Sequence, residues 1–172
     1  TIVLFTSTEG ENLATIVRPS NEIQSKSLKG AILSARKHPE CLFIIRDHPN
    51  KYISNWYDIP EPSYWHDLIN ERGDLDFPDN LEKVYGWDKI DSHRLMKLAD
   101  ISVALFSSIA MDAFLLGNTV ITYESSWWQE IADYKIGNKA TIDEISCLYD
   151  EAIGKQRNLI NQRIDLLNSY SY

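Results

Sequence analysis

The stretch ISVALFSSIAMDAFLLGNTVITY, residues 101–123, contains a strand, a helix and a second strand in direct succession. Residues 101–106 form an apolar, β-branched run of the kind that is buried on both faces in a parallel sheet. Residues 109–116 have helical spacing, and Gly117 stands where helices commonly end in a left-handed residue. Residues 119–123 then return to an apolar strand. This succession predicts two parallel strands joined by a helical crossover.

The same alternation extends over the rest of the chain. Further strands are expected at residues 2–6 and 41–46 and, more weakly, around Val84 and Tyr85. Helices are expected in the following places: after Ser20, at 62–73, after Asp91 or Ser92, after the capping box of Thr141 and Glu144, and as a separate C-terminal element through Leu159, Ile160, Ile164 and Leu167. Alternating strands and helices predict an α/β fold with a doubly wound parallel sheet, in a single domain covering residues 1–172.

Composition and charge exclude several classes of function. The chain has 172 residues, of which 44% are hydrophobic, so it can bury a core. The net charge of −8 argues against binding to DNA, RNA or an anionic membrane surface. No apolar run approaches the roughly 20 residues of a membrane span. Cys41 and Cys147 are expected to be reduced and partly buried, as in a cytoplasmic protein.

Ligands of open parallel sheets bind beyond the carboxyl ends of the strands, so polar residues at these ends are the candidates for a site. Ser107 and Ser108 lie between an apolar strand and a helix, where hydroxyl and backbone N–H groups point at one small volume. Such a place suits an anion. The alternative is that Ser108 serves only as a helix N-cap, which is a common use of serine.

His48 and Pro49 follow the strand that ends at Arg46. An imidazole here would donate to a phosphate oxygen and favour departure of a nucleotide, while Arg46 would add positive charge. His38 and Pro39 repeat the same two letters but stand between a helix and a strand start, at the opposite edge of the sheet. Position, rather than the dipeptide, therefore distinguishes His48 from an incidental histidine in a turn.

Three further strand-end segments supply candidates. Glu124 follows the fifth strand, where a carboxylate would accept hydrogen bonds from ribose hydroxyls. Thr6, Ser7 and Glu9 follow the first strand and would face the same cleft, with Glu11 as an alternative to Glu9. Each glutamate has the competing interpretation of a solvated loop charge.

Other features are set aside. The Asp74-Leu75-Asp76 letters of a metal–nucleotide motif follow Gly73 in a polar loop and are interpreted as a turn. Neither a Walker A loop, a GxGxxG motif nor a zinc motif occurs, and no metal ligand set or cofactor is predicted. Most of the tryptophans are expected in the core or in an interface, and one is a candidate for a sugar pocket.

The ordered segments Phe5–Glu9, Ile45–Asn50, Leu98–Asp100 and Phe106–Ser108 resemble those of bacterial capsule and O-antigen glycosyltransferases of the GT-B type. The His-Pro and Ser-Ser pairs are also similar to those of bacterial sialyltransferases, Kdo transferases and glycerophosphotransferases. The resemblance covers nearly the whole chain, as a Rossmann-like C-terminal domain. It implies that His48, Ser107 and Ser108 contact the donor phosphate, and it makes a CMP-sugar the favoured donor, with UDP- and GDP-sugars as alternatives.

This resemblance implies a metal-independent, cytoplasmic enzyme that transfers a sugar to a polysaccharide or lipid-linked acceptor, with His48 as the catalytic residue. The protein could be held peripherally at the inner membrane by other parts of a longer polypeptide. The N-terminal domain of such enzymes commonly supplies the general base, and Glu9-Gly10-Glu11 does not replace it. The chain is therefore expected to be the donor-binding half of a two-domain enzyme. Two alternatives remain: a nucleotide-sugar epimerase of the same fold and a non-catalytic Rossmann-like binding domain.

Overall fold

Six strands form one parallel sheet in the computed structural model, which describes residues 1–5, 21–46, 77–84 and 90–169. The strands are β1 (Ile2–Phe5), β2 (Phe43–Arg46), β3 (Leu81–Val84), β4 (Ile101–Ala104), β5 (Thr119–Tyr123) and β6 (Tyr134–Ile136). Their order across the sheet is β3-β2-β1-β4-β5-β6, and every neighbouring pair is parallel. This topology confirms the predicted doubly wound α/β fold.

The strand order reverses direction at β1. From β1 the chain adds β2 and β3 on one side, then crosses back to add β4, β5 and β6 on the other. Phe5 is level with Arg46 on β2 and with Ala104 on β4. The carboxyl ends of these three strands are therefore aligned around the switch point, which is where open α/β sheets bind their ligands.

Four helices cover the two faces of the sheet within the described ranges. They are α1 (Asn21–Lys37), α2 (Ser92–Leu98), α3 (Ile109–Leu115) and α4 (Ile142–Ser169), and a 3-10 turn follows β5 at Gln129–Ile131. Helices α1 and α4 share one hydrophobic cluster with the sheet, whereas α2 and α3 share the other. Residues of β1 alternate between the clusters, since Ile2 and Leu4 join the first and Val3 and Phe5 the second.

The helix ends follow local rules. Asp91, and not Ser92, caps α2, because its Oδ1 accepts from the backbone N–H of His93 at 3.1 Å. Thr141 and Glu144 form the predicted capping box, with distances of 2.7 Å from Thr141 N to Glu144 Oε2 and 3.2 Å from Glu144 N to Thr141 Oγ1. These bonds from Thr141 lower the pKa of the Glu144 carboxyl. Gly117 has φ 81°, as predicted for the end of α3.

Polar contacts join α1 to α4. The hydroxyls of Ser27 and Tyr149 are 2.5 Å apart and buried, and burial raises the pKa of Tyr149. The next residue of α4, Asp150, accepts from Ser34 Oγ at 2.6 Å and from Lys37 Nζ at 2.8 Å, about two turns beyond Ser27 on α1. These two contact levels fix the register between the helices.

Two predictions about elements were wrong. The C-terminal region is one continuous helix of 28 residues and not two separate helices. Strand β6 was not predicted, because its three residues carry neither a long apolar run nor a fully buried pattern. The expected helix at 62–73, the Ser20 cap and Tyr85 lie outside the described residues.

Cys41 and Cys147 are free thiols, but Cys147 is exposed and not partly buried, which corrects that prediction. None of the helices in the described ranges combines the length and the apolar character that crossing a bilayer requires.

Candidate functional site

Ser107 and Ser108 lie at the carboxyl end of β4, in the turn that leads into α3. Ser108 is exposed, has helical backbone angles and makes no capping hydrogen bond with its side chain. The partly buried Ser107 instead accepts from the backbone N–H of Ile109, at 3.4 Å. The interpretation of Ser108 as merely an N-cap therefore receives no support from its contacts, and its hydroxyl points to solvent-accessible space.

An aromatic contact joins this turn to the end of β5. The rings of Phe106 and Tyr123 lie 5.1 Å apart between centroids and are tilted by 41°. Phe106 directly precedes Ser107, and Tyr123 directly precedes Glu124. The ring contact therefore packs the end of β4, which carries the serines, against the end of β5, which carries the glutamate. The sequence predicted that both would lie at this edge of the sheet.

Glu124 is held by the turn that follows β6. Its backbone N–H donates to the carbonyl of Ile136 at 2.9 Å, and its Oε1 accepts from the backbone N–H of Asn138 at 2.7 Å. The hydroxyl of Tyr123 donates to Oδ1 of Asn138. Burial raises the pKa of Tyr123 and the nearby Glu124 carboxylate raises it further, so the phenol stays a donor at neutral pH.

A cavity of about 590 Å³ opens beside Glu124. The cavity is lined by the ends of β5 and β6, the β6–α4 turn and the first turns of α4. The lining residues are Glu124, Lys135, Ile136, Gly137, Asn138, Lys139, Ala140, Glu144, Ile145 and Leu148. This volume is in the range of small-molecule sites. The cavity combines an apolar wall with a few polar groups, but its lining does not include Ser107, Ser108 or Arg46.

Arg46 ends β2 and is 4% exposed. Its Nε donates to Ser92 Oγ at the start of α2, at 3.4 Å. Because β1 separates β2 from β4, two strand spacings place the backbone of Arg46 about 10 Å from that of Ala104. The guanidinium therefore supplies a buried positive charge on the β2 side of the switch point.

The other predicted site residues are Thr6, Ser7, Glu9 and His48, and all four lie outside the described residues. Asp74 and Asp76 also fall outside them. His38, which repeats the His-Pro letters at the opposite edge of the sheet, lies within the described residues. It follows α1, and its Nε2 is 3.2 Å from Asp150 Oδ1. Its imidazole thus belongs to the contact between α1 and α4, in agreement with its interpretation as unrelated to the candidate site.

The sequence interpretation missed three residues at the carboxyl edge. Asn138 holds the Glu124 carboxylate through its backbone N–H, and the Tyr123 hydroxyl holds the Asn138 amide. The exposed His93 lies between Asp91 and Asp112, with its Nδ1 3.3 Å from Asp91 Oδ1 and its Nε2 3.4 Å from Asp112 Oδ2. The capping role of Asp91 at the start of a helix after a strand could have directed attention to His93, whereas nothing in the sequence singles out Asn138.

The described tryptophans have different environments. Trp128 is partly buried against the cluster under α2 and α3, as expected for a core residue. Trp127 is 71% exposed, three residues after Glu124, so this tryptophan lies outside the core. Among described residues no group of three or more histidine, cysteine or acidic side chains is arranged to hold a metal ion. What the edge offers chemically is hydroxyl and amide donors, one carboxylate acceptor and one buried cation.

Comparisons with known proteins agree with this architecture. No protein-family model and no curated protein matches the chain. Among solved structures, one reported as "Trehalose-6-phosphate from E. coli bound with UDP-2-fluoro glucose" matches with a TM-score of 0.52 at 12% identity, over 88% of this chain and 36% of that one. The "Glycotransferase of kitacinnamycin" matches with a TM-score of 0.47 at 14% identity, over 98% of this chain and 42% of that one.

The likeness to the E. coli structure concerns the fold. The chain has a Rossmann-like parallel sheet flanked by helices, as in a GT-B glycosyltransferase domain. It spans about a third of the length of that structure.

Proposed function

We propose that this chain is the donor-binding part of a glycosyltransferase, which transfers a sugar from a nucleotide sugar to an acceptor. The observation that carries the proposal is the position of Ser107 and Ser108 at the carboxyl end of β4, beside the switch point of a GT-B-like sheet. That position is where doubly wound folds bind phosphate-containing ligands. A GT-B-like protein holding UDP-2-fluoro glucose is consistent with a nucleotide-sugar ligand.

In this proposal the phosphate binds at the Ser107–Ser108 turn. The exposed Ser108 hydroxyl and the main-chain N–H groups of the turn would donate to phosphate oxygens. The buried charge of Arg46 would stabilise the anion through the low-dielectric interior, and His48 would donate to the leaving phosphate. Glu124 would accept a ribose hydroxyl, because its carboxylate lines the cavity at the end of β5.

The reaction breaks the bond between the anomeric carbon and the phosphate oxygen. The acceptor oxygen forms the new bond to that carbon, and its proton passes to a general base outside the residues named here. The electron pair of the broken bond stays on the phosphate, where Ser108, Arg46 and His48 stabilise it without a metal ion. The finer proposal is a CMP-sugar donor and a cytoplasmic enzyme that builds a bacterial capsule or O-antigen polysaccharide, following the resemblance of the His-Pro and Ser-Ser pairs.

Nucleotide binding by histidine variants tests this proposal. Titration calorimetry with CMP, UDP and GDP is expected to show binding of at least one nucleotide. His48→Ala should weaken that binding by about tenfold or more, since it removes a hydrogen bond to a charged group. His38→Ala is the matched control, because His38 contacts Asp150 between α1 and α4. An equal loss in both variants would contradict the assignment of His48.

A further inference from the structure

The turn between β6 and α4 holds one side chain in an unusually well-defined position. Asn138 is fixed twice: its backbone N–H donates to Glu124 Oε1 at 2.7 Å, and its Oδ1 accepts from the Tyr123 hydroxyl. The turn is closed by a further bond from Ala140 N to the carbonyl of Gly137, at 3.1 Å. Glu124, Asn138 and Tyr123 are thereby locked into one arrangement at the ends of β5 and β6.

These bonds leave specific groups available. With Oδ1 occupied by the phenol, the amide NH2 of Asn138 has two donors for which no described residue is a partner. Oε2 of Glu124 likewise has no hydrogen-bond donor among the described residues. The backbone of Gly137 lies close to this oxygen, because a Cβ at residue 137 would be 3.4 Å from it. Glu124 and Asn138 both line the 590 Å³ cavity. One wall of the cavity therefore presents an acceptor beside a donor.

The pair of Glu124 and Asn138 suits hydroxyl groups better than an anion. A phosphate beside this pair would meet the Glu124 carboxylate, which repels it, although Lys135 and Lys139 also line the cavity. Two neighbouring hydroxyls fit, because one donates to a carboxylate oxygen while the other accepts from an amide N–H. The partly buried side chain of Leu148, which also lines the cavity, can pack against the carbon face of a sugar ring.

We infer that Asn138 is a specificity-determining residue that recognises, together with Glu124, the two adjacent hydroxyls of the donor's ribose. Glu124 Oε2 accepts from one hydroxyl and Asn138 Nδ2 donates to the other. Tyr123 is a positioning residue, since it acts on the ligand only by fixing the orientation of the Asn138 amide. This inference rests on the proposed function, because it assigns the nucleoside end of the same donor site.

A comparison of intact and 2′,3′-dideoxy nucleotides tests the role of Asn138. The dissociation constants of CMP, UDP and GDP, and of their dideoxy forms, would be measured by calorimetry for the wild-type chain and for Asn138→Ala. The variant keeps the backbone bond to Glu124, so the turn should stay folded. Wild type should prefer the intact nucleotide by about tenfold or more, and Asn138→Ala should lose the part of this preference that comes from one hydroxyl, while binding the dideoxy form as wild type does.

Two further variants complete the design. Tyr123→Phe keeps the ring that packs on Phe106 but releases the amide, so it should reduce the preference for ribose without abolishing binding. Asn161→Ala, at an exposed position of α4, should behave as wild type. An unchanged preference in Asn138→Ala, with normal binding by the wild-type chain, would overturn this inference alone. Failure of the wild-type chain to bind any of the three nucleotides would overturn the proposed function as well.

Discussion

Gly30 on α1 lies directly against Ile145 on α4. A Cβ at residue 30 would come within 2.8 Å of Ile145 Cγ2 and 3.1 Å of Ile145 Cβ, and Ile145 is completely buried. A β-branched side chain in a packed core has little freedom to move aside. The close approach of α1 and α4, which builds one face of the domain, therefore depends on a glycine at this position.

Substituting this glycine should destabilise the protein even though it lies within a helix. Gly30→Ala gains up to about 1 kcal/mol of helix propensity but crowds Ile145 at a cost of about 1–3 kcal/mol. We expect a net loss of about 1 kcal/mol in the free energy of unfolding. Gly154→Ala is the matched control on α4, because a Cβ there meets nothing within 4 Å, and it should gain up to about 1 kcal/mol. Urea unfolding measures both, and a gain in both variants would contradict the described packing.

Asp150 should contribute to stability through its three partners. Its carboxylate accepts from Ser34 and Lys37 and lies 3.2 Å from His38 Nε2. Asp150→Ala leaves the fully buried Ser34 hydroxyl without this acceptor, so we expect a loss of about 1–3 kcal/mol in the free energy of unfolding. Asp165→Ala, at an exposed position of the same helix, should change it by less than about 0.5 kcal/mol. Equal midpoints of urea unfolding for the two variants would exclude a special role for Asp150.

The same carboxylate makes a pH-dependent contribution. Burial alone would raise the pKa of Asp150, but hydrogen bonds from Lys37 and Ser34 outweigh it and hold the pKa below its ordinary value of 3.8. A lowered folded-state pKa stabilises the protein above the unfolded-state pKa, and this stabilisation is lost as the pH falls through the folded-state value. The stability difference between wild type and Asp150→Asn should therefore be constant near neutrality and shrink below about pH 3.8. A difference that stays the same down to pH 3, followed by urea unfolding, would contradict this assignment.

The central strands could be predicted because of where they lie. β1, β2 and β4 are buried on both faces, so their sequences are continuous apolar runs that differ clearly from their surroundings. Ser107 and Glu124 could be placed from the ends of β4 and β5, which is also buried throughout, since parallel strands direct their carboxyl ends to one edge.

The edge strand and the long helix could not be predicted in the same way. β6 pairs only with β5 and only its last residue, Ile136, is buried, so its sequence has no strand pattern. Helix α4 continues through Gly154 and a polar run, where the sequence suggested a break. Its second half is exposed, and Ile160 and Ile164 lie outside the main hydrophobic cluster. The pattern of buried residues therefore does not show that the helix is continuous.

The arrangement around Glu124 depends on this missed strand. Asn138 reaches Glu124 and Tyr123 only because β6 pairs with β5 and brings the following turn to the same edge. Asn138 follows Glu124 by fourteen positions in the sequence. The sequence alone, without the pairing of β6 with β5, does not predict that these two residues are neighbours.

Nucleotide binding by serine variants tests most directly whether Ser107 and Ser108 form the donor phosphate site. Ser108 makes no capping bond, and Ser107 Oγ accepts one bond, from Ile109 N at 3.4 Å, so the double substitution Ser107→Ala and Ser108→Ala should cost the fold little. Ser169→Ala at the end of α4 is the matched control. By titration calorimetry with CMP, UDP and GDP, wild type and the control should bind at least one nucleotide equally. The double variant should bind that nucleotide about tenfold or more weakly. No binding by wild type, or an equal dissociation constant in the double variant, would contradict a donor phosphate site at Ser107 and Ser108.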